Sequence, residues 1–343
     1  MNIFSGLPVM LYYKNISVMG DAAMLWKRTM DPDSVFNAPR RDNQIISLSY
    51  KSDDEFIAGL QEALKEAARH AGYDLTVHDS MNSPSLQLEQ VENARKRGAK
   101  AILINLVDPD SAPALLEAAG NMKVVFIAFV PADMRLLNEN VVYVGADQKA
   151  AGRMQGEWLA NHFKERGKNE IRYILLKGIR DRPITEQRTE AMLQALADNG
   201  IRAVAAAPPI YADLSRVQAM SQLLPVLSSG VKFDAIISNN DAMALGAIEA
   251  MEYLNMDPSR TVIVGIDATE PAVRALLEGK LAMTVYQNKT GRAITTITVV
   301  DNMLNRRAFS QGIEHLVSPE NPYVVLYPYE PVTWYHIPRD LYF

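Results

Sequence analysis

The sequence predicts an α/β protein built as two similar, doubly wound, parallel-sheet lobes joined by a hinge. Three observations carry that prediction. From Gln44 onward short β-branched or apolar runs alternate with amphipathic segments, the order that builds parallel sheets covered by helices. The alternation runs to about domain size and then starts again at Gln148. At 343 residues the chain is also longer than one hydrophobic core usually serves.

Taken in order, residues 1–43 stand apart as an N-terminal arm. Pro8 to Tyr13 reads as a short strand and Asp21 to Arg28 as a short helix, followed by the turn-rich, charged run DPDSVFNAPRRDN. Met10, Leu11, Tyr12, Tyr13 and Trp26 make it too apolar for a solvated tail, so an ordered arm is expected in preference to a disordered leader. Ile45 to Tyr50 then reads as a strand. Ser52 and Asp53 offer a cap to the helix Phe56 to Ala71, whose apolar face is Phe56, Leu60, Ala63, Leu64 and Ala67. Tyr73 to Val77, Ala101 to Val107, Val124 to Phe129 and Val141 to Val144 read as further strands, with helices over Ser83 to Gly98 and Ser111 to Ala119 between them.

The second series has helices at Gln148 to Arg166, Thr185 to Asn199 and Ser215 to Leu227, and strands at Tyr173 to Leu176 and Ala203 to Ala207. Next comes Ile236 to Asp267, IISNNDAMALGAIEAMEYLNMDPSRTVIVGID, which changes period from strand to helix and back to strand. A helix (Glu270 to Gly279), a strand (Met283 to Tyr286), a long helix (Thr290 to Asn305) and an extended run (Tyr323 to Tyr327) follow, and they allow the chain to cross back between lobes. The expected division is 44–146 plus 288–312 in the N-terminal lobe and 147–287 plus 313–343 in the C-terminal lobe.

The stretch from Ile236 to Asp267 also locates the candidate site. It puts Asn239, Asn240 and Asp241 at the end of one strand and Asp267 at the end of another. Parallel strands joined by helices turn their carboxyl ends toward a crevice, where open α/β sheets bind small ligands. An amide that donates and accepts, beside a carboxylate that accepts twice, suits a neutral ligand rich in hydroxyl groups. Helix capping competes with that reading, falling most naturally to Asp241 and leaving Asn240 to the ligand. Asp54 with Phe56 offers a carboxylate beside an aromatic face, the pairing a pyranose with its apolar C–H face requires. Phe56 fits the helix's apolar stripe equally well.

Composition narrows the classes. A net charge of -5 gives no sign of a nucleic-acid partner. No run approaches the roughly 18 apolar residues that a membrane span needs. Absence of cysteine removes disulfides, thiolate metal sites and a cysteine nucleophile. There is no G-x-G-x-x-G after a strand, G-x-x-x-x-G-K-[ST], H-E-x-x-H or G-x-S-x-G, and the five histidines, His70, His78, His162, His315 and His336, are scattered without ligand spacing. No enzyme activity is expected.

From Ile45 onward the chain resembles the periplasmic galactose/glucose-binding proteins, type I substrate-binding proteins of ABC transporters. The stretches that carry the resemblance are YKSDDEF (50–56), INLVDP (104–109), YVGAD (143–147), ILLKG (174–178), EQRT (186–189), NNDAMALGAIEAM (239–251) and VGIDATEPA (264–272). The resemblance implies that Asp54, Arg188, Asn240 and Asp267 hydrogen-bond a sugar, D-glucose or D-galactose, and that Phe56 covers one face. It also implies that Tyr211 stands where the family has a covering tryptophan, Gln287 where it has an asparagine, and that Tyr50 lines the cleft. Three polar positions of the family differ. Its asparagine after the fourth strand is Ala128, and its histidine and aspartate ahead of Arg188 are Arg182 and Ile184, so Arg182 joins the candidate sugar ligands. The family's calcium loop is replaced by FKERGKNEIR (163–172), which has no oxygen-rich ligand set, and no metal or cofactor is expected.

The implied function is a monomeric periplasmic protein that closes on its sugar and presents it to an ABC permease, with a chemoreceptor as a second partner. The chain's beginning lacks a secretory signal, so the export signal is expected to have been removed, with a lipid anchor left open. The competing reading is the effector domain of a cytoplasmic sugar-responsive transcription regulator. It would require a helix-turn-helix, for which residues 1–43 offer no pair of short helices with a basic face.

Overall fold

The computed structural model describes residues 44–51, 54–338 and 341; the expected arm lies outside the described residues. The first series folds as β1 (Gln44–Ser49), α1 (Glu55–His70), β2 (Asp74–Asp79), α2 (Pro84–Lys96), β3 (Ala101–Ile104), α3 (Ala112–Ala119), β4 (Lys123–Ile127) and β5 (Val141–Gly145). Its strands are wholly parallel in the order β2-β1-β3-β4-β5. Ile45, Leu48, Leu103, Ile104, Val125 and Phe126 are buried because helices cover both faces of that sheet, so its strands read as continuous apolar runs.

The second series repeats the arrangement with α4 (Gln148–Lys164), β6 (Glu170–Lys177), α5 (Pro183–Asp198), β7 (Arg202–Ala205), β8 (Ile210–Tyr211), α6 (Arg216–Ser228), β9 (Ala235–Ser238), α7 (Asp241–Tyr253), β10 (Val262–Val264), α8 (Glu270–Leu277) and β11 (Thr284–Gln287). Its strand order is β7-β6-β9-β10, with β8 continuing beside the end of β6. Bridges from Val264 to Met283 and Asp267 to Tyr286 lay β11 next to β10. In the first lobe β2 lies outside β1 and β3 inside it; in the second β7 and β8 lie outside β6 and β9 inside it. Both sheets therefore have a switch point, between β1 and β3 and between β6 and β9, where a crevice opens.

The chain crosses between the lobes three times. It leaves the first sheet after β5 and returns after β11 to form α9 (Lys289–Leu304), whose Ala293, Ile297, Val300 and Met303 join the first core. Of residues 313–343, expected whole in the second lobe, two described strands divide between the lobes. β12 (Val324–Leu326) adds a parallel strand to β5, and β13 (Tyr329–Val332) then pairs antiparallel with β11. The apolar run Val324–Leu326 covers what would otherwise be an unpaired edge of the first sheet.

One helix pair fixes the second lobe's contribution to the crevice. A Cβ at Gly152 of α4 would stand 2.1 Å from the Arg188 carbonyl, and one at Gly156 would stand 2.4 Å from that of Met192. Only glycine lets α4 and α5 approach so closely, and the approach brings Arg188 against Gln148 at the first crossing.

Candidate functional site

The site is a cavity between the lobes, lined by Asp54, Phe56, Ile57, Ala128, Phe129 and Arg292 from the first and Gln148, Ile184, Arg188, Leu214, Asn240, Asp267 and Gln287 from the second lobe and the crossings. Its empty space, open solvent at the mouth included, is about 390 Å³. Strand ends supply most of its polar groups. Asp54 follows β1, Asn240 follows β9, Asp267 follows β10 and Gln287 closes β11.

The carboxylate of Asp54 is fixed from two sides. Oδ1 accepts from the Ile57 amide at 2.9 Å as the cap of α1, and Oδ2 accepts from the Tyr50 hydroxyl at 2.9 Å. Tyr50 is buried behind it, edge-on to Phe129 at 5.2 Å between centroids, so it supports the wall without lining it. Phe56 lines the cavity and also belongs to the first core.

Asn240, not Asp241, caps α7: its side-chain oxygen accepts from the Met243 amide at 3.0 Å, while its amide nitrogen donates to the Leu214 carbonyl. Asp241 turns away to the loop after β10, where its carboxylate accepts from the Thr284 hydroxyl at 2.7 Å and the Thr269 amide at 2.9 Å. That grip is close, since a Cβ on Gly265 would lie 2.1 Å from Asp241 Oδ1. It holds Asp267 at φ +128° and Ala268 at φ +49°, backbone conformations that side chains with a Cβ seldom adopt. The strain falls on the residue whose carboxylate enters the cavity.

A polar chain crosses the cavity floor. Arg292 Nη1 donates to Gln287 Oε1 at 3.0 Å, and Gln287 Nε2 donates to Asp267 Oδ1 at 2.8 Å. The same Asp267 oxygen lies 3.9 Å from Arg188 Nη2. Arg188 in turn donates through Nε to Gln148 at 2.9 Å, through Nη1 to the Asn239 carbonyl at 2.6 Å and through Nη2 to the Tyr329 hydroxyl at 3.4 Å. Gln148 and Tyr329 sit at two of the three crossings, so Arg188 ties the site to the hinge. Burial pushes the Asp267 carboxyl up to about 8 despite Arg188, with Asp241 and Asp54 adding to the rise. Burial likewise raises Asp241 to about 6 against the bonds from Thr284 and Thr269.

The remaining sequence candidates fall off the cavity wall. Tyr211 lies under the Arg180 guanidinium, 3.9 Å from the ring centroid, with Lys177 Nζ at 4.9 Å, and is not among the residues that line the cavity. Arg182 reaches across the cleft and donates to the Val107 carbonyl, a lobe-to-lobe bond beside the pocket. Residues that sequence reasoning missed are Gln148, Phe129, Leu214 and above all Arg292. Arg292, Thr296, Val299 and Met303 share the buried face of α9 at helical spacing, so the legible signal was a charge on an apolar stripe.

The periplasmic binding protein domain family matches residues 45–308. The chain is 32% identical over 286 residues to the D-galactose/methyl-galactoside binding periplasmic protein of Haemophilus influenzae, covering 79% of this chain and 84% of that protein. It is also 32% identical over 240 residues to the ribose import binding protein of the same organism, covering 68% and 76%. Among solved structures, an ABC transporter solute binding protein from Bacillus halodurans with bound myo-inositol superposes with a TM-score of 0.72 at 27% identity, over 87% of this chain and 97% of that one. One from Actinobacillus succinogenes with bound D-allose gives a TM-score of 0.73 at 22% identity, over 86% and 98%, and bears on the fold alone.

Proposed function

This chain belongs to the periplasmic binding protein family, as a type I substrate-binding protein of two α/β lobes, and we propose that it closes those lobes on a monosaccharide and delivers it to an ABC permease. The observation that carries the reading is the cavity between the lobes, lined by Asp54, Asn240, Asp267 and Gln287 at strand ends and by the Phe56 and Phe129 rings. Such a set pairs ring hydroxyls on one side and covers an apolar ring face on the other. A hexose skeleton, D-galactose or D-glucose, is the proposed ligand frame, a choice supported by the relative named for D-galactose. The protein binds without turnover in the periplasm, and a chemoreceptor is a second proposed partner for the closed form.

Closure follows from the division of the site. A ligand touching both lobes binds the closed state better than the open one, and only that difference can shift the hinge. The test is isothermal titration of protein unfolded and refolded to remove carried ligand, against D-galactose, D-glucose, their acidic derivatives, D-ribose and D-xylose. The expected result is saturable one-to-one heat with at least one hexose-framed sugar and its loss in Asp267→Ala. Absence of heat with every sugar would overturn the reading.

A further inference from the structure

We propose that the sugar taken by this cleft carries a carboxylate, a hexuronic acid in preference to its neutral parent, and that Arg292 selects it. The proposal rests on the monosaccharide reading above and adds the ligand's charge.

Arg292 is 3% exposed and lines the cavity, yet only one of its three guanidinium nitrogens has a partner: Nη1 donates to Gln287, while Nε and Nη2 have none among the described residues. Those two nitrogens form one edge of the guanidinium, with parallel N–H bonds at the spacing of a carboxylate's two oxygens. Burying a cation in this way is costly unless it is paired and its donors are taken up. Arg188, equally buried, has a partner on every nitrogen.

The site's own carboxylates do not fill the fork. Both oxygens of Asp54 are engaged by the Ile57 amide and the Tyr50 hydroxyl. Asp267 bonds Gln287 and faces Arg188. Asp241, the other carboxylate near the two guanidinium groups, is taken up by the Thr284 hydroxyl and the Thr269 amide. Tyr143 and Tyr329, which also act on Arg292, are phenols kept neutral by burial, Tyr143 being pushed up to about 12.

A neutral sugar can set two adjacent hydroxyl oxygens on the fork but brings no charge to the buried cation. A carboxylate takes both N–H groups and supplies the missing charge. A phosphate monoester would bring further acceptor oxygens toward Ala128, Phe129 and Ile184, which cannot donate to them from their side chains. The Arg292 guanidinium carbon lies 5.9 Å from the Phe56 ring centroid, and both residues line the cavity.

Titration of the refolded chain with D-galacturonate, D-glucuronate, D-galactose and D-glucose tests this, alongside Arg292→Met and Arg292→Lys. The expected result is that a uronate binds at least about tenfold more tightly than its parent, that the ratio falls to near one in Arg292→Met, and that Arg292→Lys, charged but without the fork, keeps only part of it. A parent sugar that binds as tightly as its uronate overturns the proposal and leaves the monosaccharide reading standing, as does a preference that survives in Arg292→Met. Silence from all four overturns both. Should the methionine variant not fold, the ratio in the natural chain and in Arg292→Lys decides.

Discussion

Two corners of one cavity hold a buried arginine each, and they are built in opposite ways. Arg188 comes from α5, is brought in by the glycine-permitted contact with α4, and spends its guanidinium on Gln148, Asn239 and Tyr329. Arg292 comes from α9 and, among the described residues, bonds only Gln287 and keeps one edge without a partner. The first is part of the scaffold that joins strand ends to the crossings; the second is complete only with a ligand. Equal burial thus conceals different work, and the hydrogen-bond partners distinguish them.

Removing each arginine in turn should break that comparison in opposite directions. Arg188→Met leaves the Asn239 carbonyl and Gln148 without their donor and is expected to cost about 3–5 kcal/mol in urea unfolding and to abolish sugar binding. Arg292→Met removes an uncompensated buried charge, and the ligand-free protein is expected to gain on the order of 1 kcal/mol, read as a higher Tm. A drop in Tm comparable to that of Arg188→Met would mean that Arg292 is scaffold too.

Asp267, which the two arginines flank, gives the comparison a pH dependence. Its folded pKa of about 8 lies above the roughly 4 of an unfolded aspartate, so its contribution to stability is full below about pH 4 and is lost as pH rises through about 8. Thermal melts of the ligand-free protein should fall across that window, and Asp267→Asn should flatten part of the fall, leaving the share due to Asp241. The smallest effect belongs to Tyr211, whose ring serves Arg180 and Lys177. Tyr211→Leu should cost about 0.5–1 kcal/mol of stability and leave sugar affinity within roughly twofold. A large loss of affinity would return Tyr211 to the cavity wall.

Much of this was readable from the chain. The two lobes followed from alternation and its restart, and Asn240 and Asp267 from a change of period that put them at strand ends. What the spacing could not show were contacts made by distant residues. Asp241 looks like a cap until Thr269 and Thr284, 28 and 43 positions on, take its carboxylate. Tyr211 looks free to stack until the loop after β6 returns Arg180 over it, and Arg182 looks like a ligand until Val107 arrives from the other lobe. β8 and β13 are too short to show a period, and β12 joins the first sheet because that edge was open to it. Arg292 was visible only as a misplaced charge on an apolar helix face.

The central claim is that a single monosaccharide is enclosed between the lobes and completes the Arg292 corner. A crystal structure of the refolded protein with D-galacturonate tests it most directly. Closed lobes around one sugar are expected, with hydroxyls on Asp54, Asn240 and Asp267 and a carboxylate across Nε and Nη2 of Arg292. An empty cleft, or a sugar bound elsewhere on the molecule, would contradict it.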